Sequence, residues 1–146
     1  MNDKDQFVSQ AQVDIDVPVA KVWEALVTPA MIREYMFGTN VVSEWEAGAP
    51  IFWRGEWKGQ SYEDKGQILQ LEPDRLLQYT HFSPLTGQPD VPENYHTVTI
   101  TLSRSDNDTG THVTLTQDNN ASEDEREHTA QTWSTMLGSL KQFLEK

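Results

Sequence analysis

His96-Thr97-Val98-Thr99-Ile100-Thr101-Leu102 alternates without a break, and Val113-Thr114-Leu115-Thr116 repeats the pattern beyond Asp106-Asn107-Asp108-Thr109-Gly110. Strict alternation places His96, Val98, Ile100 and Leu102 on one face and the threonines on the other. Residues 95–104 and 112–118 are therefore predicted to be antiparallel strands joined by the Asp/Asn/Gly turn, with one face wet. If Arg104 pairs with Thr111, His112 stands opposite Ser103. The apolar face of this hairpin needs a cover, and the next segment supplies it. Ser122 with Glu125 forms a capping box, and Glu123 and Asp124 suit the positive end of a helix. Trp133, Met136, Leu137, Leu140, Phe143 and Leu144 then make a broad apolar stripe on one long helix.

Towards the N-terminus the signals continue. Residues 7–17 alternate, with Ala11, Val13, Ile15 and Val17 on one parity, as in an edge strand. Pro18 stops that ladder and opens a helix over 18–27, with Val19, Val22, Trp23 and Leu26 on one face. Thr28-Pro29 starts a second short helix, which Gly38 ends. Strands follow over 41–45, 51–57, 61–72 and 75–82. They are separated by Gly48, Lys58-Gly59-Gln60 and Pro73-Asp74. Residues 83–93 hold Pro84, Gly87, Pro89 and Pro92, a loop that is either a lid or a stiff connector. The order is strand, two helices, six strands in a meander, and a long C-terminal helix, within one domain over 1–146.

Composition narrows the functional classes. The chain has 146 residues, and Leu, Ile, Val and Phe make up 32 of them. With a net charge of −12 this lies near the composition of disordered chains. Five tryptophans, five phenylalanines and four tyrosines supply the missing core material. The absence of cysteine excludes disulfides, thiolate metal sites and a cysteine nucleophile. The acidity is spread evenly, so it argues against nucleic acid and anionic membrane as partners. Met1-Asn2-Asp3-Lys4-Asp5 lacks the pattern of a signal peptide, and no apolar run is long enough for a membrane span. A cytoplasmic location is expected.

Four stretches together resemble one known family. They are Val17-Pro18 leading to Val22-Trp23, Leu26 and Thr28-Pro29; Gly66 and Ile68 with Leu71-Glu72-Pro73 before Arg75-Leu76; the two threonine-rich strands around Gly110-Thr111; and Trp133 with Leu137, Leu140 and Leu144. The chain is similar to START-like (SRPBCC) domains, in the branch related to the activator of the heat-shock protein 90 ATPase. That resemblance implies an α+β helix-grip fold, a curved antiparallel sheet wrapped around the C-terminal helix with a cavity between them. It also implies a small apolar or amphipathic ligand in that cavity. The co-chaperone that names the branch resembles a two-domain chain, whereas this sequence reads as a single domain.

The candidate site residues follow from parity. Trp53, Tyr79 and Trp133 are placed to line the cavity, or alternatively to fill the core. Tyr35 and Phe37 stand as a gate at one end. His81 shares the parity of Leu77 and Tyr79, so it is either a ligand-orienting or acid–base group or a hydrogen-bonded histidine at a strand end. Arg54 and Glu56 lie opposite Trp53, where a surface ion pair is expected, and Glu63 and Lys65 read alike. His81, His96, His112 and His128 lack metal-ligand spacing, and no cofactor motif is present. The expected function is ligand binding. Alternatives are a cyclase- or hydratase-like enzyme using His81, and an interaction module such as a co-chaperone or homodimer.

Overall fold

The computed structural model describes residues 7–84, 87–105 and 109–145. Asp106, Asn107 and Asp108 of the predicted turn, and the N-terminal residues read for a leader, lie outside the described residues. The chain runs β1 (Ser9–Ile15), α1 (Val19–Val27), α2 (Pro29–Tyr35), β2 (Asn40–Ser43), β3 (Pro50–Trp57), β4 (Gln60–Glu72), β5 (Leu76–His81), β6 (His96–Arg104), β7 (Thr111–Gln117) and α3 (Glu123–Leu144). A 3₁₀ turn over Pro92–Asn94 sits in the connection before β6. The strands form one curved antiparallel sheet in the order β1-β7-β6-β5-β4-β3-β2. This is the α+β helix-grip arrangement that the sequence predicts, with β1 at an edge.

Alternation explains the central register. Arg104 pairs with Thr111 and Ser103 with His112, so Val98, Ile100 and Leu102 share the inner face with Val113 and Leu115. All five are buried. The threonines between them face outward, where a β-branched side chain fits the pleat without needing burial. Pro18 precedes α1 in extended geometry, and Pro29 occupies the first turn of α2, where a missing N–H costs nothing.

The turn after β3 is tighter than the composition suggests. It consists of Lys58 and Gly59 alone, both at positive φ (51° and 80°), as a two-residue hairpin turn requires. Gln60 already belongs to β4 and pairs with Trp57. That register sets Trp53 opposite Asp64 and Arg54 opposite Glu63. Further along β4 the pairing shifts between Ile68 and Gln70. The bulge turns Leu69 outward and returns Leu71 to the inner face opposite Leu77.

α3 closes the sheet from the β1 side. Met136, Leu137 and Leu140 are buried against the inner face. Ser122 Oγ accepts from Glu125 N–H (3.2 Å), while the Glu125 carboxylate takes Ala121 N–H (2.5 Å) rather than the Ser122 amide of the standard box. At the other end Lys141 Nζ donates to Asp14 O (2.7 Å), and Asp16 N–H donates to Glu145 Oε2 (2.8 Å). Asn120 fastens the β7–α3 junction. Its amide nitrogen reaches Phe7 O (2.9 Å), Ser9 Oγ (3.0 Å) and Gln117 O (3.2 Å).

Candidate functional site

Trp53 from β3, Tyr79 from β5 and Trp133 from α3 converge between sheet and helix, as their parities predict. With Tyr35, Met36 and Ile100 they line an apolar cavity of about 30 Å³. That is room for one or two waters, against the several hundred Å³ of a drug-sized ligand site. The rings therefore occupy most of the space that they enclose. The Trp53 ring leans on Tyr79, with centroids 5.1 Å apart and planes tilted by 47°. Burial pushes the Tyr79 phenol well above its ordinary range. Trp133 is only half-buried, and its Nε1–H donates to Gln117 Oε1 (2.7 Å).

The two expected gate residues have different fates. Tyr35 is buried in the wall, where its hydroxyl donates to Ala25 O (2.9 Å) and locks α2 to α1. Burial, then the neighbouring Tyr79, raise its phenol above the ordinary range. Phe37 is 75% exposed at φ +57°, followed by Gly38 at φ +87°. It stands outside the cavity lining, and Met36 takes the inner position.

His81 ends β5 with its ring edge-on to Trp53 at 4.9 Å. Its Nε2–H donates to Asp64 Oδ2 (3.0 Å), a partner that the sequence reading did not include. Asp64 projects from β4 on the inner face, beside its cross-strand neighbour Trp53. The other carboxylate oxygen, Oδ1, is buried and has no hydrogen-bond partner among the described residues. His96 pairs with His81 across the β5–β6 ladder, and the rings are 6.5 Å apart. Its Nδ1–H donates to Asp118 O (2.9 Å), since a carbonyl can only accept. Trp53 thus belongs to the cavity lining and also neighbours the Asp64–His81–His96 polar group. Among the described residues no three His, Cys, Asp or Glu side chains cluster closely enough to hold a metal ion.

The other candidates lie on the outer face. Arg54 pairs with Glu63 (2.5 Å), both half-exposed, rather than with Glu56. Lys65 pairs with Asp90, and Tyr95 Oη–H donates to the same carboxylate (2.6 Å). Those contacts, the stacking of Tyr95 on Phe82 and the donation of Asn119 to Glu93 O and Tyr95 O tie the described part of the 83–93 loop down. His112 meets Asp14 on the outer face (2.8 Å), and His128 is exposed on α3.

The sequence profile described as Activator of Hsp90 ATPase homolog 1-like protein matches residues 16–145. The chain belongs to that family. Within this family's fold it superimposes on the solution structure of a Cytophaga hutchinsonii protein with a TM-score of 0.85 and 56% identity, covering 99% of this chain and 97% of that one. A Mesorhizobium loti crystal structure is similar at TM-score 0.74 and 23% identity, covering 94% and 96% of the two chains. The solution structure of the Aha1 dimer from Colwellia psychrerythraea is similar at 0.73 and 20%, covering 94% and 96%. The last two likenesses show the shared fold. None of the curated proteins matches the chain. Among the described residues no helix is long and apolar enough to cross a membrane.

Proposed function

We propose that this chain is a cytoplasmic binding domain for a small apolar or amphipathic molecule, held between the sheet and α3. The observation that carries the reading is the convergence of Trp53, Tyr79 and Trp133 on one apolar cavity. Aromatic walls with a few polar handles are the usual make-up of such sites. At about 30 Å³ the cavity is too small for such a molecule as it stands, so the ligand enters by displacing wall side chains. Trp133, Trp45 and Met36 are the half-buried members of the lining, and Met adapts readily to a changed shape.

The test is titration with prodan, a neutral naphthalene dye whose emission shifts on leaving water. Saturable binding that is lost in Ile100→Phe, a substitution that fills the cavity, supports the reading. A linear, unsaturable response in a folded protein refutes it. The Asp64–His81 contact favours a second reading, proton transfer to or from the bound molecule by His81 with Asp64 orienting the ring. Turnover that survives His81→Ala would exclude that role.

A further inference from the structure

The structure points to the chemical class of the ligand: we infer that it is a neutral aromatic or alicyclic molecule carrying one hydroxyl, which donates its hydrogen bond to Asp64. This inference rests on the binding reading above and sharpens it. The argument starts from Asp64. One of its oxygens is engaged by His81 Nε2–H at 3.0 Å, while Oδ1 is buried and unpartnered among the described residues. A buried acceptor without a donor is a cost to the fold that a suitable ligand removes. Asp64 is next to Trp53 in the β3–β4 register, and Trp53 is also part of the cavity lining. The Trp53 ring has Tyr79 and His81 as ring neighbours, with centroids 5.1 and 4.9 Å away. On this proposal the ligand displaces Trp53 and so reaches the free carboxylate oxygen from the apolar space. The opened site offers aromatic walls at one end and an acceptor at the other.

A hydroxyl suits this geometry better than the alternatives. A carboxylate or phosphate would meet Asp64 head-on as a like charge. An ammonium would have to leave water for a carboxylate already engaged by His81, which makes its desolvation poorly compensated. A hydroxyl carries one donor and little desolvation cost. It can also accept from the Tyr79 phenol, whose proton burial retains.

The test uses two matched probes, 2-naphthol and 2-methoxynaphthalene, which differ in the donor hydrogen and one methyl group. Each competes with prodan for the wild-type protein. The expected result is that 2-naphthol displaces the dye at about tenfold lower concentration, the size of a hydrogen bond to a charged acceptor. Asp64→Leu is expected to level the two probes while still binding prodan. Asp64→Asn keeps the shape and is expected to shrink the preference if the leucine variant does not fold. Equal displacement by both probes in the wild type overturns the hydroxyl assignment and leaves apolar binding standing. If no probe binds at all, both proposals fall. Displacement by a naphthalene ammonium salt more effective than 2-naphthol would overturn the choice of a neutral ligand.

Discussion

Gly66→Ala is expected to be among the most damaging single substitutions in this chain, although it adds one methyl group. An ideal Cβ at Gly66 would lie 1.7 Å from the carbonyl oxygen of Thr80, 2.6 Å from its carbon and 3.3 Å from His81 N. Real Cβ contacts are essentially never below 3.0 Å, so β4 and β5 must part by more than 1 Å at this point. The obstacle is backbone, and no rotamer change relieves it. Three hydrogen bonds cross the same gap: Lys65 N–H to Phe82 O (3.0 Å), Phe82 N–H to Lys65 O (2.8 Å) and Gln67 N–H to Thr80 Oγ1 (2.9 Å). Losing them at about 1 kcal/mol each, with a further contribution from overpacking strain, gives a loss of roughly 3–5 kcal/mol. At about 3 °C per kcal/mol for a chain of this size, Tm falls by roughly 10–15 °C.

Urea denaturation followed by tryptophan fluorescence and far-ultraviolet circular dichroism measures the effect. Gly138→Ala is the control. That glycine lies inside α3 with open space around its missing Cβ, so the variant gains about 0.5–1 kcal/mol from helix propensity. Gly66 lies two residues from Asp64 on β4, and its added Cβ would stand 3.3 Å from His81 N, so the same displacement is expected to pull the 3.0 Å contact apart. Any preference for a hydroxylated probe is then lost with the stability. An unfolding free energy for Gly66→Ala within about 0.5 kcal/mol of the wild type would refute the close-approach argument.

Tyr35→Phe removes the donation to Ala25 O from a fully buried site and costs about 1–2 kcal/mol in urea denaturation; no measurable change would mean that α2 is not held by this bond. Asn120→Ala removes the amide that joins Phe7, Ser9 and Gln117 in a buried junction. Its expected cost is about 2–4 kcal/mol, and a loss well under 1 kcal/mol would count against the clasp. Alkaline titration at 295 nm tests burial of the phenols. Tyr35 and Tyr79 hold their protons more tightly folded than unfolded, chiefly through desolvation. Their contribution to stability is therefore complete below the unfolded value of about 10 and is lost as pH rises above it. They are expected to ionise together with the loss of ellipticity, and reversible ionisation of all four tyrosines before any unfolding would contradict the structure.

Strand faces were legible wherever alternation was strict, because a period of two fixes the face, and register followed once the turn length was right. In the β6–β7 hairpin, with Arg104 opposite Thr111, His112 falls opposite Ser103 as expected. The Asp64 contact was hidden by one residue of turn length. With Lys58, Gly59 and Gln60 all in the turn, Trp53 would face Lys65 instead of Asp64. Two residues at positive φ bring Gln60 into the ladder, and every partner on β4 moves by one. The parity that Asp64 shares with Gly66 and the buried Ile68 was the available signal. In a run as polar as Gln60–Glu72 an acidic residue reads as part of a wet face. Cavity size was illegible for a different reason. Parity assigns a ring to the inner face, but the way that Trp53, Tyr79 and Trp133 tilt against one another decides how much space remains.

That tilt bears directly on affinity. A cavity of about 30 Å³ means that the apo core is already packed, so any ligand must displace part of the wall before it gains contacts. The binding-competent state is then a minor one, and apparent affinity falls tenfold for each 1.4 kcal/mol that opening costs, roughly speaking. Trp133 is one of three half-buried wall elements, with Met36 and Trp45. It lies on the N-terminal half of α3, and its side-chain hydrogen bond goes to Gln117. Tyr35, by contrast, is anchored through Ala25 and packs beside Phe143 with centroids 6.2 Å apart. On the binding reading, opening therefore begins with the half-buried Met36, Trp45 and Trp133, while the anchored Tyr35 stays in place.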